Sequence, residues 1–156
     1  GYTALHVAAC KGVVNVVNAV LNNKEFTSSE ASLEDGRNAL HLAAQFGHDT
    51  VVETLVSSPY FTAADKCLVR DKATALHMSA RHGHVDVVKV LLENQYFTVS
   101  DKQCANGQTA LHEAAEKGLV RIVEALMGSP RFQAANQDDR CNQTALHLAA
   151  GNGHAA

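Results

Sequence analysis

The sequence has no tryptophan, and aromatic residues make up only 5% of its 156 positions. A single large core normally leans on aromatic side chains, so what is buried here must be built mostly from Ala, Val and Leu. Charge is also nearly absent as a net quantity, with 13 Lys+Arg against 16 Asp+Glu and a formal charge of −3. That balance argues against a nucleic-acid coat, a basic binding stripe or a polybasic membrane anchor. No apolar run approaches the roughly 18 residues needed to insert across a membrane. The chain opens on Gly1, without Met or a charged, signal-like leader, and is expected to be a fragment of a longer chain. The four cysteines, Cys10, Cys67, Cys104 and Cys141, are far apart and form no CxxC. They read as reduced thiols in an intracellular, cytoplasmic setting. What the chain does have is 46% hydrophobic residues, too many for disorder.

Those residues recur at a fixed interval. The string Ala-Leu-His occurs five times, ending at His6, His41, His77, His112 and His147, at intervals of 35, 36, 35 and 35 residues. A glycine follows each His six residues later, at Gly12, Gly47, Gly83, Gly118 and Gly153. Apolar doublets come next: Val16-Val17, Val51-Val52, Val87-Val88 and Ile122-Val123. Second doublets lie four residues on, at Val20-Leu21, Leu55-Val56, Leu91-Leu92 and Leu126-Met127. A phenylalanine recurs in the connecting loop, at Phe26, Phe61, Phe97 and Phe132.

Each unit has a physical reading. Thr3, Asn38, Thr74, Thr109 and Thr144 precede the Ala-Leu-His run, where a side-chain oxygen caps the first free N–H groups of a helix. Apolar residues such as Ala4-Leu5 and Ala8-Ala9 then fall on one helical face. The glycine ends this helix in the left-handed conformation, and the doublets place a second helix after it. Pro59 and Pro130 stop the second helix in two units. A turn precedes the next cap, with Gly36, Gly107 or Asn142 at its tight position. Lys72 stands there in the third unit and breaks the rule. Helices of roughly 8–10 residues are unstable alone. Unit must therefore stack on unit, as in a solenoid.

The string Thr74-Ala75-Leu76-His77-Met78-Ser79-Ala80-Arg81-His82-Gly83-His84 resembles the T-P-L-H-x-A-A-x-x-G-H signature of ankyrin repeats, and its four sister strings do so less completely. The resemblance covers the whole chain and implies an all-α solenoid of stacked helix-turn-helix units with hairpin-like loops. The expected division is a single array over 1–156, with repeats 1–35, 36–71, 72–106 and 107–141 and a partial unit 142–156. Ala replaces the family's Pro at every first helical position, and the units are longer than the family's roughly 33 residues. The extra length falls in the phenylalanine loop, where Phe26, Phe61, Phe97 and Phe132 read as plugs against the second helix. The resemblance also implies that the five Ala-Leu-His histidines hydrogen-bond within and between units.

Other motifs yield little chemistry. His48, His84, His154 and His82 sit at the Gly-His turns, but successive units lie about 8–10 Å apart, too far to share a metal. No cofactor or metal is expected. The sequence holds no nucleophile elbow, HExxH or Walker loop, and Glu53, Asp86, Glu93 and Glu124 read as solvated outer surface. No enzyme and no small-molecule substrate is expected.

Since the repeated positions carry the fold, specificity must lie where the units differ. One such set ends the first helix: Lys11, Gln45, Phe46, Arg81, His82, Glu116 and Lys117. The other lies at the hairpin tips: Arg37, Arg70, Asp71, Asn106, Gln108 and Arg140. In the family these positions line a concave groove that grips a partner protein, and here they are the expected contacts. Phe46, with Arg81 one unit away, is expected at the groove's centre. The helix ends look mildly basic, which would suit an acidic segment. The expected function is non-catalytic protein–protein interaction; the alternative is a regulatory segment within a larger enzyme or ion channel. The last unit lacks a second helix, so Leu146 is expected to be half exposed and residues 142–156 to fray.

Overall fold

The computed structural model of the chain describes residues 1–23 and 31–154. Phe26, one of the four expected plugs, lies outside the described residues. Among the described residues every regular element is an α-helix. They come in pairs: α1 (Ala4–Lys11) with α2 (Val14–Leu21), α3 (Ala39–Phe46) with α4 (Asp49–Ser57), α5 (Ala75–His82) with α6 (Val85–Glu93), and α7 (Ala110–Glu116) with α8 (Val120–Met127). A final helix, α9 (Ala145–Gly151), stands without a second partner among them. First helices pack on first helices in the order α1, α3, α5, α7, α9, and second helices on second helices in the order α2, α4, α6, α8. The repeat is therefore a physical layer, as its interval implied.

The caps show why each layer begins where it does. The N–H of Thr3 donates to His6 Nδ1 at 3.2 Å, and Thr74, Thr109 and Thr144 repeat this bond to their own histidines at 3.3, 3.1 and 3.2 Å. Histidine thus does the work that glutamate does in an ordinary capping box. Its other nitrogen reaches the next layer: Nε2 of His77 donates to Gln108 O and that of His112 to Gln143 O, both at 3.1 Å. The bonds implied by the resemblance are present in these units. The Nε2 atoms of His6 and His41 are buried and, among the described residues, make no hydrogen bond of ordinary geometry. In the His41 layer the cap is Asn38, whose Oδ1 lies 2.7 Å from His41 Nδ1 and whose amide donates to Ala63 O. The Asn38 N–H also donates to His41 Nδ1, at 3.4 Å, the same cap bond that the threonines make.

One continuous apolar core runs through all layers. It is made of small residues from the first helices (Ala8, Ala9, Ala43, Ala44, Ala80, Ala114) and of the second-helix doublets, except Val16 and Met127, which are exposed. Phe61, Phe97 and Phe132 are buried, at 4, 0 and 6% exposure, so the plug reading holds for them. Aspartates four residues after two of these rings tie loop to loop. Asp65 accepts from Thr98 N at 2.9 Å, and Asp101 accepts from Gln133 N and Ala134 N at 2.7 and 3.1 Å. Arg131 donates to the Leu92, Asn94 and Phe97 carbonyls and so closes the end of α6. Lys72 and Asn142 both take positive φ, at 59° and 55°. The sterically costly tip therefore falls on Lys72, the residue that departs from the sequence pattern.

Candidate functional site

The divergent helix ends are held in place by a second set of histidines. Gly47, at φ 77°, closes α3 and lets the chain turn into His48. His48 Nε2 bonds the Cys10 carbonyl of the layer before at 3.0 Å. His84 bonds Gln45 O at 2.9 Å and His154 bonds Glu116 O at 3.1 Å. The ring lies over the preceding glycine so closely that a Cβ on Gly47 would sit 2.5 Å from His84 Nδ1. In the fourth layer this histidine is replaced by Leu119. The carbonyl it would have taken, Arg81 O, is instead taken by Lys117 Nζ at 2.7 Å.

Lys11, Phe46, His82, Glu116 and Lys117 are exposed, and Gln45 and Arg81 are half-buried. At the tips Arg70, Asn106 and Arg140 are exposed, while Arg37, Asp71 and Gln108 are half-buried. The two sets meet at two places. Arg37 Nη1 donates to Gln45 Oε1 at 3.4 Å, and Arg81 Nη1 lies 3.6 Å from Asp71 Oδ2. The tips are joined along the stack by backbone bonds, Val69 N to Asp35 O at 2.9 Å and Arg140 N to Asn106 O at 3.0 Å, with Ala105 N on Asp71 O between them. Asp35, Asp71 and Asn106 each accept the N–H two residues on, which fixes the turn. The Arg37 N–H bond, with the Arg37 side chain adding to it, holds the Asp35 carboxyl below its ordinary range.

The expectation of a mildly basic set of helix ends is narrowed here by one residue, Arg81. Arg81 forks onto Glu113 of the next layer, with Nε to Oε2 at 3.0 Å and Nη2 to Oε1 at 2.6 Å. The Glu113 side chain is only 7% exposed, so the pair is well shielded, and Glu113 holds the guanidinium above its ordinary pKa. Arg81 therefore brings no free charge to the groove, whereas Lys117 bonds only the neutral Arg81 carbonyl and stays exposed. Sequence reading passed over Glu113. Its position follows the Ala-Leu-His histidine, where the other units carry Val7, Leu42, Met78 and Leu148. An acid in an otherwise apolar column was the available signal.

Phe46 is 48% exposed, as expected. Its ring stacks on His48 with centroids 6.5 Å apart, and His82 stacks on His84 at 6.3 Å. Glu53, Asp86, Glu93 and Glu124 are exposed on second helices. The described residues hold no group of three His, Cys, Asp or Glu placed to bind a metal, and no helix among them is long and apolar enough to cross a membrane.

A family described as ankyrin repeats (3 copies) matches residues 1–67 and 60–136. No significant match was found among curated proteins. Paired short helices, glycine-ended first helices and linked tips agree with that match, and the chain belongs to the ankyrin-repeat family.

Proposed function

We propose that this array is a non-catalytic binding module that grips one partner protein across several layers. Ankyrin repeats are generally protein–protein interaction modules. One observation carries the reading to a particular face: the residues that differ between layers meet side chain to side chain, through Arg37 with Gln45 and Arg81 with Asp71. Tips and helix ends therefore border one surface. Bonds repeated from layer to layer brace that surface, and a preorganised surface loses little entropy on binding.

The test compares two charge-altered forms of the chain in affinity capture. One carries Arg70→Glu and Arg140→Glu at the tips. The other carries Glu53→Lys and Glu124→Lys on the second helices. A partner retained by the second and lost by the first supports the groove. A partner lost only by the second places binding on the opposite face.

A further inference from the structure

Two ring pairs recur one layer apart at the helix ends. Phe46 lies over His48 at an interplanar angle of 30°, and His82 over His84 at 6°. Both underlying histidines are clamped by Nε2 to the layer before. Each upper ring therefore lies beside a ring that is itself anchored. His82 is fixed further, because Nδ1 bonds Met78 O at 2.8 Å. A carbonyl accepts only from an N–H, so a proton sits on Nδ1, and Nε2 of this exposed residue makes no bond among the described residues. The same register position is Lys11 one layer before Phe46 and Lys117 one layer after His82, at spacings of 35, 36 and 35 residues. All four are exposed. Lys11 has no partner among the described residues, and Lys117, though anchored to Arg81 O, keeps its charge at the surface. The row holds no carboxylate. Asp49 and Asp86 lie at the starts of second helices and Glu116 in the neighbouring row.

We infer that this row, Lys11-Phe46-His82-Lys117, is the docking site for an extended acidic peptide segment of a partner with one apolar anchor. The inference rests on the interaction-module reading above and names the partner's chemistry. The flat ring of Phe46 takes the anchor, and the two ammonium groups, with the His82 Nε2 between them, take acidic or hydroxyl-bearing side chains. Charge complementarity selects the sign. Spacing selects the conformation: layers repeat at about 8–10 Å, and a polyproline II strand advances about 9.3 Å in three residues. Every third ligand residue then meets one layer. The recognised pattern is acid, two residues, apolar, two residues, acid or Ser/Thr, two residues, acid, in one direction or the other. A helical ligand would advance only about 4.5 Å in three residues and lose register.

The probe is a random twelve-residue peptide library displayed on phage and selected on the purified 156-residue chain. Enriched peptides should carry acids and one apolar residue at three-residue spacing. Synthetic copies should lose roughly tenfold or more in affinity on the Phe46→Ala/His82→Ala chain and on the Lys11→Glu chain, and weaken as salt rises. Lys89→Glu, a like charge reversal on the exposed side of α6, should leave them within about twofold. Thermal unfolding of each variant checks that the fold survives. Basic ligands, acidic ligands indifferent to Phe46, His82 and Lys11, or failure to enrich any peptide would each overturn the inference. None of these outcomes touches the broader module reading, which stands or falls on partner capture by the tip variants.

Discussion

Residue by residue, the backbone carries unequal strain. Lys72 holds φ at 59° where the equivalent residues of two other layers are Gly36 and Gly107. A side chain in that region costs about 1–2 kcal/mol, partly offset by the freedom glycine gains in the unfolded chain. Lys72→Gly should therefore raise stability by about 0.5–1 kcal/mol in urea titration, while Lys72→Ala should not. This departure was legible in the sequence, because the position is glycine or asparagine elsewhere. The neighbouring glycines show what was not. Gly47 and Gly83 look identical in sequence and share positive φ, but a Cβ on Gly47 meets His84 at 2.5 Å while one on Gly83 finds only Leu119 at 3.9 Å. Gly83→Ala should cost about 1 kcal/mol, and Gly47→Ala markedly more; equal losses would remove the steric argument. His41 sets the response to acid. Burial lowers its imidazole from 6.5 to about 4, against weaker opposing contacts from Ala73 and Lys66. The unfolded ring takes its proton near 6.5 and the folded ring only near 4. Its contribution is complete above pH 6.5 and is lost as pH falls towards 4, by on the order of 3 kcal/mol. His6 and His77 are lowered too, chiefly by burial. Urea unfolding at pH 7 and pH 4.5 should show this loss before the Asp35 carboxyl, lowered from 3.8, takes any part. A flat profile across that window would contradict it.

At the scale of the helix and its neighbour, the first helices are anchored by polar side chains inside an apolar stack. The Arg81–Glu113 fork links α5 to α7, with Glu113 shielded and Arg81 at 32% side-chain exposure. Glu113→Ala strands a guanidinium beside Asp71 alone and should cost about 2 kcal/mol. A double-mutant cycle with Arg81→Ala should return most of that as coupling, and a coupling near zero would make the fork incidental. Helix starts, helix ends and the phenylalanine plugs were readable in the chain because capping and packing are local and repeated. The fork was not, because it joins residues 32 apart that occur once each. Loop anchoring by Asp65 and Asp101 escaped for a different reason. Those aspartates do recur four residues after Phe61 and Phe97, but Asn136 follows Phe132 at the same distance, so the pattern covers only two adjacent layers. The substitution of Lys117 for a missing turn histidine is a further case: Leu119 marks the loss in the sequence, and only the bond to Arg81 O shows what replaces it.

Across the whole molecule, stability is expected to follow the number of neighbours each layer has. Helix α9 packs on α7, and Leu146 on it is 68% exposed. Amide exchange should be fastest over 142–154 and slowest in α3 to α6; slow exchange throughout 142–154 would contradict a layer-by-layer account. The low aromatic content follows from the same architecture. Thin layers pack on Ala, Val and Leu, and charges are spent on local pairs such as Arg37–Asp35 at 2.7 Å. Periodicity made the architecture legible; a binding face is the part of an array that does not repeat, and so it is read only once the layers are superposed. The most direct measurement of the central claim is hydrogen exchange on the chain in complex with its captured partner. Protection should appear at the helix ends and tips of at least three layers, around Lys11, Phe46, His82, Arg70 and Arg140. Protection confined to the exposed sides of the second helices, around Asn15, Glu53, Lys89 and Arg121, would contradict it.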